Sequence, residues 1–309
     1  MIDTEPLIAI ESISKTFGNR NAVDHVSLEI PLGQITALLG PNGGGKTTLF
    51  RMISSLLRPD TGYIRVDGLD PQRDGAEYRR QLGVIFQSPS LDKKLTAAEN
   101  LMHFGHLHGL RGQTLSQRIA EMLDRLEVAD RAGDLVETLS GGLARRVEIA
   151  KCMLTRPKLL LMDEPSTGLD PSARRTLWGA VDRLRRDEGV TVLLTTHFLD
   201  EADRCERVAI LDHGKLVAFD APSALRAQLG EEVITIQSDQ PDDVARILES
   251  EFKLDVQRVD HTLRIEADQP ATRIAKLAER LAGLTQSITL SQPTLEDVFI
   301  HLTGRRFDP

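Results

Sequence analysis

The stretch that constrains this chain most is ITALLGPNGGGKTT, residues 35–48. A short apolar run ends in a glycine-rich loop that fits G-x-x-x-x-G-K-[ST] with Gly40, Gly45, Lys46 and Thr47. A helical pattern, TTLFRMISSLL, follows directly. A strand, loop and helix in this order fold around phosphate. Successive backbone N–H groups wrap the oxygens, and the helix N-terminus adds a favourable dipole. In that setting Lys46 is expected to reach the β- and γ-phosphates of a nucleotide, and the Thr47 hydroxyl to ligate Mg²⁺. Gly43 and Gly45 sit where such a loop needs a backbone without Cβ, whereas Gly44 carries no such requirement and is expected to accept alanine with ATP binding intact.

Other apolar runs bounded by turn residues recur: LGVIFQ at 82–87, LLLMDE at 159–164, TVLLTTH at 191–197 and RVAILDHG at 207–214. Runs of this length, apolar on both faces, predict buried strands of a sheet covered by helices, hence an α/β domain over residues 1–230. The span from about 90 to 157 shows no strand pattern and reads as an inserted helical subdomain. Within it, LARRVEIAKCML (143–154) places Leu143, Val147, Ala150 and Leu154 at helical spacing, with Arg145, Arg146, Glu148 and Lys151 on the other face and the pair Arg145 and Arg146 expected on its solvated side. After Gly230 the order strand, helix, two strands, helix, strand predicts a ferredoxin-like module over 231–309. A final helix, PTLEDVFIHLTG, follows, with Pro293 and Thr294 at its start and Gly304 past its end.

Charge narrows the function. The chain of 309 residues carries a net −8, which argues against nucleic acid bound on a basic face. Residues 1–230 contribute −2 and residues 231–309 contribute −6, marking the second stretch as a separate acidic module. Cys152 and Cys205 stand far apart and indicate neither a disulfide framework nor a zinc site. No apolar run approaches the ~20 residues that span a bilayer. The opening MIDTEPLIAIES lacks the basic and apolar regions of a signal peptide. The expectation is an intracellular protein whose membrane role, if it has one, runs through a partner.

Two further motifs carry chemistry. In LLLMDEP, adjacent carboxylates end a buried strand, which is costly unless they face a cation or a polar crevice. Asp163 is the natural Mg²⁺ partner and Glu164 the group to polarise an attacking water. In LSGGLARR (139–146), Ser140, Gly141 and Gly142 open a helix and offer a second anion site. One phosphate loop does not need two such sites, so Ser140 and Gly142 make sense if they serve a nucleotide held by another copy.

In combination these stretches resemble the nucleotide-binding subunit of ABC transporters, over roughly residues 7–225. GPNGGGKTT looks like the family's Walker A loop, LSGGLARRVEIAK its signature motif, LLLMDEP its Walker B strand and STGLD (166–170) its D-loop. Gln87 looks like the Q-loop glutamine, and His197 like the switch histidine. TTHFLDEADRCERVAILDHGKLVAFDAPSAL and the ending PTLEDVFIHLTGR resemble the daunorubicin-resistance branch of exporters, whose membrane subunit is a separate polypeptide. The resemblance implies a P-loop ATPase fold and ATP held by Gly40, Pro41, Asn42, Gly43, Gly44, Gly45, Lys46, Thr47 and Thr48. It implies adenine stacked on Phe17, and Ser140, Gly141 and Gly142 acting across a homodimer. Mg²⁺ would lie with Thr47, Gln87 and Asp163, and hydrolysis would run through Glu164, His197 and Gln87. A permease at the cytoplasmic face of the membrane is the implied partner, and nucleic acid is not.

Alternatives stand beside these expectations. Phe17 could be a core phenylalanine, and His197 an ordinary strand-end histidine. HFGHLH places His103, His106 and His108 close together, more simply as a partly exposed helix face than as a metal site. The ATPase of an importer, or a non-transport ABC ATPase acting on ribosomes or DNA, shares the same motifs.

Overall fold

A computed structural model describes residues 6–230, 232–266 and 270–307; the acidic opening residues 1–5 and the end of TLRIEAD lie outside them. The five apolar runs become neighbours in one six-stranded sheet. From one edge its strands are Leu82–Ile85, Leu159–Asp163, Thr191–Thr196, Ile35–Leu39, Arg207–Asp212 and Lys215–Asp220. The first five run parallel, and the last, absent from the sequence-based expectation, pairs antiparallel at the edge. Alternate residues feed two cores. Leu38, Leu161 and Leu193 point to one side; Ala37, Leu39, Leu160, Met162, Val192 and Leu194 point to the other. Each buried leucine contributes about 1.5–3 kcal/mol, which is why the runs are apolar throughout.

A second sheet was not expected. Arg20–Ile30, Ile8–Phe17 and Thr61–Val66 form a three-stranded antiparallel layer. It encloses the helix Lys46–Ile53 against the larger sheet, through Ile10, Val26, Ile64, Leu49 and Phe50. Register shifts after Ile10, and positive φ at Ser12 and His25, break the two-residue alternation that would have announced these strands. The hairpin between the first two leaves Phe17 opposite Arg20, beside the phosphate loop.

Between Ile85 and Leu159 lie the helices Ala97–Leu107, Gly112–Arg125 and Gly141–Met153, as the subdomain at about 90–157 predicts. One expectation fails here. Arg145, Glu148 and Lys151 are buried, at 7%, 1% and 8% exposure, because the segment after Leu82–Ile85 folds over them. Arg146 is half-buried and donates to the carbonyls of Leu126 and Glu127. His103, His106 and His108 are exposed.

The later strands form a separate antiparallel sheet in the order Gln257–Val259, Thr262–Glu266, Val233–Gln237, Ser287–Ser291, the ferredoxin-like arrangement. Its own core gathers Ile234, Val244, Leu248, Leu263 and Leu277. The helix Leu295–Thr303 behaves differently. Thr294 caps it in a reciprocal pair with Asp297, and Gly304 ends it in a left-handed turn. Its Leu295, Val298 and Phe299 join the core of the first 230 residues, as does Phe307. Arg305 pairs with Asp212, and Gln257 Nε2 donates to the Ile300 carbonyl.

Candidate functional site

Parallel strands bring their carboxyl ends together. The loop after Leu39, the pair Asp163–Glu164 and His197 after Thr196 therefore share one end of the sheet. The loop is held open by close backbone packing. A Cβ on Gly40 would lie 2.2 Å from the Leu211 carbonyl oxygen. Gly45, with φ 106°, precedes the helix, and a Cβ there would meet the Ala22 oxygen at 2.6 Å. Gly43 has φ 75°. Gly44 is less free than expected, since an added Cβ would stand 3.0 Å from Pro41 O and 3.1 Å from Leu211 O.

Lys46 is buried and donates to Gly40 O at 2.7 Å and Pro41 O at 3.0 Å. Burial holds its pKa below that of an ordinary lysine, and the nearby Glu164 and Asp163 carboxylates oppose that shift. A cavity of about 300 Å³ opens over the loop, lined by Asn42, Gly43, Gly45, Lys46, Thr47, Thr48, Phe17 and Glu164. Phe17 is 52% exposed, which removes the core reading, and Lys15 Nζ lies 5.7 Å from its ring centre. Arg20 and Ala22 also line this cavity, and sequence reasoning missed both. Arg20 Nη2 donates to Gly43 O at 2.8 Å; its signal was the short hairpin that brings it back beside Phe17.

Glu164 is the point of convergence. Its backbone takes a positive φ of 46°, held by its N–H donating to Thr195 O and Oγ1 at 3.2 and 2.9 Å. Gln87 Nε2 donates to its Oε2 at 3.3 Å and Thr167 Oγ1 donates to the same oxygen at 3.1 Å. His197 Nδ1 lies 3.4 Å from Oε1 without hydrogen-bond geometry. Asp163 is buried behind, accepting from Thr195 Oγ1 at 2.6 Å. Burial pushes its carboxyl pKa up and the Glu164 charge adds to this, while the Thr195 hydrogen bond, Arg51 and Lys46 oppose it. Thr47, Gln87 and Asp163 together offer hydroxyl, amide and carboxylate oxygens, a hard donor set that suits Mg²⁺. A dication would also reverse the penalty that raises Asp163.

Ser140, Gly141 and Gly142 stay outside this cavity. Ser140 caps the helix Gly141–Met153, its Oγ accepting from Leu143 N at 3.3 Å. His197 lines a neighbouring cavity of about 580 Å³ with Phe198, Leu199, Asp200, Glu296 and Phe307, and Asn42 borders both cavities, so the C-terminal segment forms part of that second wall. Among the described residues no helix is long and apolar enough to cross a membrane.

A strand-end phosphate loop beside paired carboxylates defines a nucleoside-triphosphate-binding cassette, and comparison with known proteins gives its family. A family model described as ABC transporter matches residues 23–167. A model described as AAA domain, putative AbiEii toxin, Type IV TA system matches residues 140–198. The chain is 38% identical to the daunorubicin/doxorubicin resistance ATP-binding protein of Streptomyces peucetius, over 99% of this chain and 96% of that one. Identity is also 38% to the Nod factor export ATP-binding protein I of Sinorhizobium fredii (strain NBRC 101917 / NGR234), over 96% and 86% respectively. A solved dimeric ATP-binding cassette in a post-hydrolysis state with ADP and Pi superposes with TM-score 0.61 at 28% identity, covering 69% of this chain and 98% of that one. The chain belongs to the ATP-binding subunits of ABC transporters, a family that binds and hydrolyses ATP.

Proposed function

We propose that this chain is the ATP-hydrolysing subunit of an export system, working as a pair of copies at the cytoplasmic face of the membrane and driving a separate permease by ATP-dependent dimerisation. The observation that carries this reading is the convergence of Gln87, Thr167 and His197 on one carboxylate, Glu164, at the mouth of the phosphate-loop cavity. The loop amides and Lys46 bind the phosphates, and Phe17 stacks the base. Thr47, Gln87 and Asp163 would hold Mg²⁺, which would supply neutralisation of charge on the phosphate oxygens. Glu164 takes the proton of the water that attacks the γ-phosphorus as the bond to the bridging oxygen breaks. Gln87 and His197 sense whether that phosphate is present.

Because Ser140, Gly141 and Gly142 lie outside their own chain's cavity, we assign them to the nucleotide of a second copy, packed about a two-fold axis. Loss of the γ-phosphate then removes the link between the halves. The names of the two relatives, one conferring drug resistance and one exporting Nod factor, support export over import. We take residues 1–230 as the nucleotide-binding domain and 231–309 as an accessory unit that extends the dimer contact or regulates turnover, tied to that domain by the helix Leu295–Thr303 and Phe307.

Glu164→Gln is expected to bind ATP normally and to hydrolyse it about 10³-fold more slowly; a near-normal steady-state rate removes Glu164 from the chemistry. An equal mixture of Ser140→Arg and Lys46→Ala chains, each inactive alone, is expected to regain turnover through one intact shared site. No recovery breaks the dimer assignment. Copurification from detergent-solubilised membranes with a permease and without a solute-binding protein supports export, whereas a solute-binding protein in the same complex points to import.

A further inference from the structure

The helix Gly141–Met153 carries a buried polar face that the mechanism above leaves without a task. Charges this deep persist where they are paired and hydrogen-bonded, and here all three partners face the segment after Leu82–Ile85. The Arg145 guanidinium donates to four acceptors. Nη1 reaches Phe86 O at 2.7 Å and Glu148 Oε2 at 2.9 Å, Nη2 reaches Gln87 O at 3.2 Å, and Nε reaches Pro165 O at 3.1 Å. Glu148 Oε1 accepts from Ser90 N at 2.5 Å and from its hydroxyl at 3.0 Å. Lys151 Nζ donates to Ser90 O at 3.1 Å and Oγ at 2.7 Å.

Among the described residues, Arg145, Glu148 and Lys151 are the side chains whose hydrogen bonds reach the backbone of 86–90. Gln87 through Ser90 are otherwise exposed, so this one helix sets their path. Two of the carbonyls that Arg145 holds belong to Phe86 and Gln87. A third belongs to Pro165, directly after Glu164. Gln87 and Glu164 are 77 residues apart in the chain, yet their side chains meet at 3.3 Å. A planar fork with fixed N–H directions can hold two loops at one separation; an ammonium, with one nitrogen, cannot.

We propose that Arg145 is a positioning residue for ATP hydrolysis, fixing the backbone of Gln87 against that of Pro165 and so setting the Gln87 amide against the Glu164 carboxylate. The inference rests on the roles given to Glu164 and Gln87 above. Arg145 itself lines neither cavity at the site.

The test uses the full chain with ATP and Mg²⁺. Arg145→Lys keeps the charge beside Glu148 and loses the fork. Nucleotide affinity, read by equilibrium fluorescence titration, is expected within about twofold of wild type, while kcat falls about 10- to 100-fold. The pair Arg145→Met with Glu148→Gln removes both charges and leaves Ser90 an acceptor. Its thermal midpoint is expected near wild type, with kcat still as low as in Arg145→Lys. A wild-type kcat in Arg145→Lys, or recovery of kcat in the doubly substituted chain, overturns the positioning role. A wild-type chain that hydrolyses no ATP in the same assay overturns the reading of Glu164, and this inference with it.

Discussion

The phosphate loop and the helix Gly141–Met153 both keep charged side chains out of water, and they do so by opposite means. The loop is closed within a few residues: Lys46 is satisfied by Gly40 and Pro41 of its own turn. The helix needs a distant partner, since Glu148 is satisfied by Ser90, 58 residues earlier. A motif announces the first kind of burial because spacing alone builds it. Helical periodicity finds the apolar stripe but assigns the remaining face to solvent by default, and on this helix the default fails.

The largest effect expected on the loop side is from Gly40→Ala. Its Cβ would press on the Leu211 carbonyl, and ATP binding should weaken about 100-fold, read by fluorescent-nucleotide titration. Unchanged affinity would show that the loop tolerates displacement from Leu211. On the helix side, Glu148→Leu leaves the Ser90 N–H without its acceptor and the buried Arg145 charge without its carboxylate, and urea unfolding should report a loss of about 3–5 kcal/mol. A change within about 0.5 kcal/mol returns that face to solvent. Gly44→Ala sharpens the comparison from within the loop. A shift of a few tenths of an ångström relieves the contact of an added Cβ with Pro41 O and Leu211 O, so thermal midpoint and ATP affinity should both stay near wild type; a clear fall in midpoint would show a loop too rigid to give. The smallest effect concerns Cys152, on the helix and buried. Burial pushes its thiol pKa up to about 11, and Cys205 is also raised by burial. Raised values keep both thiols protonated at pH 8, so iodoacetamide should label neither in the native protein and both in denaturant.

Much of the catalytic end of the sheet was legible because its strands are buried on both faces, leaving apolar runs that stop at chemistry-bearing residues. Glu164 and His197 each stand directly after such a run, and Lys46 follows one at the fixed spacing of the glycine-rich loop. The antiparallel layer was not legible, since shifted register at Ile10 and Ile13 and the left-handed Ser12 scramble its alternation. Arg20 was missed for the same reason, because only the paired hairpin carries it to the loop. Arg145 lay in plain view within a recognised motif. Its role depends on which segment covers it, a property of tertiary packing rather than of spacing. Ferredoxin-like order, by contrast, followed from element sequence alone, since each strand after Gly230 has its own alternating pattern.

The return of the last helix has a consequence for how the molecule is made. Leu295, Val298, Phe299 and Phe307 complete a core whose other members, such as Leu39, Met162 and Val208, are translated much earlier. During synthesis that core stays unfinished until Phe307 has cleared the ribosome. Residues 233–291 fold as an excursion between two contributions to the same interior. A chain that stops before Leu295 would carry its phosphate loop over an incomplete apolar floor, visible to chaperones and proteases as a defect.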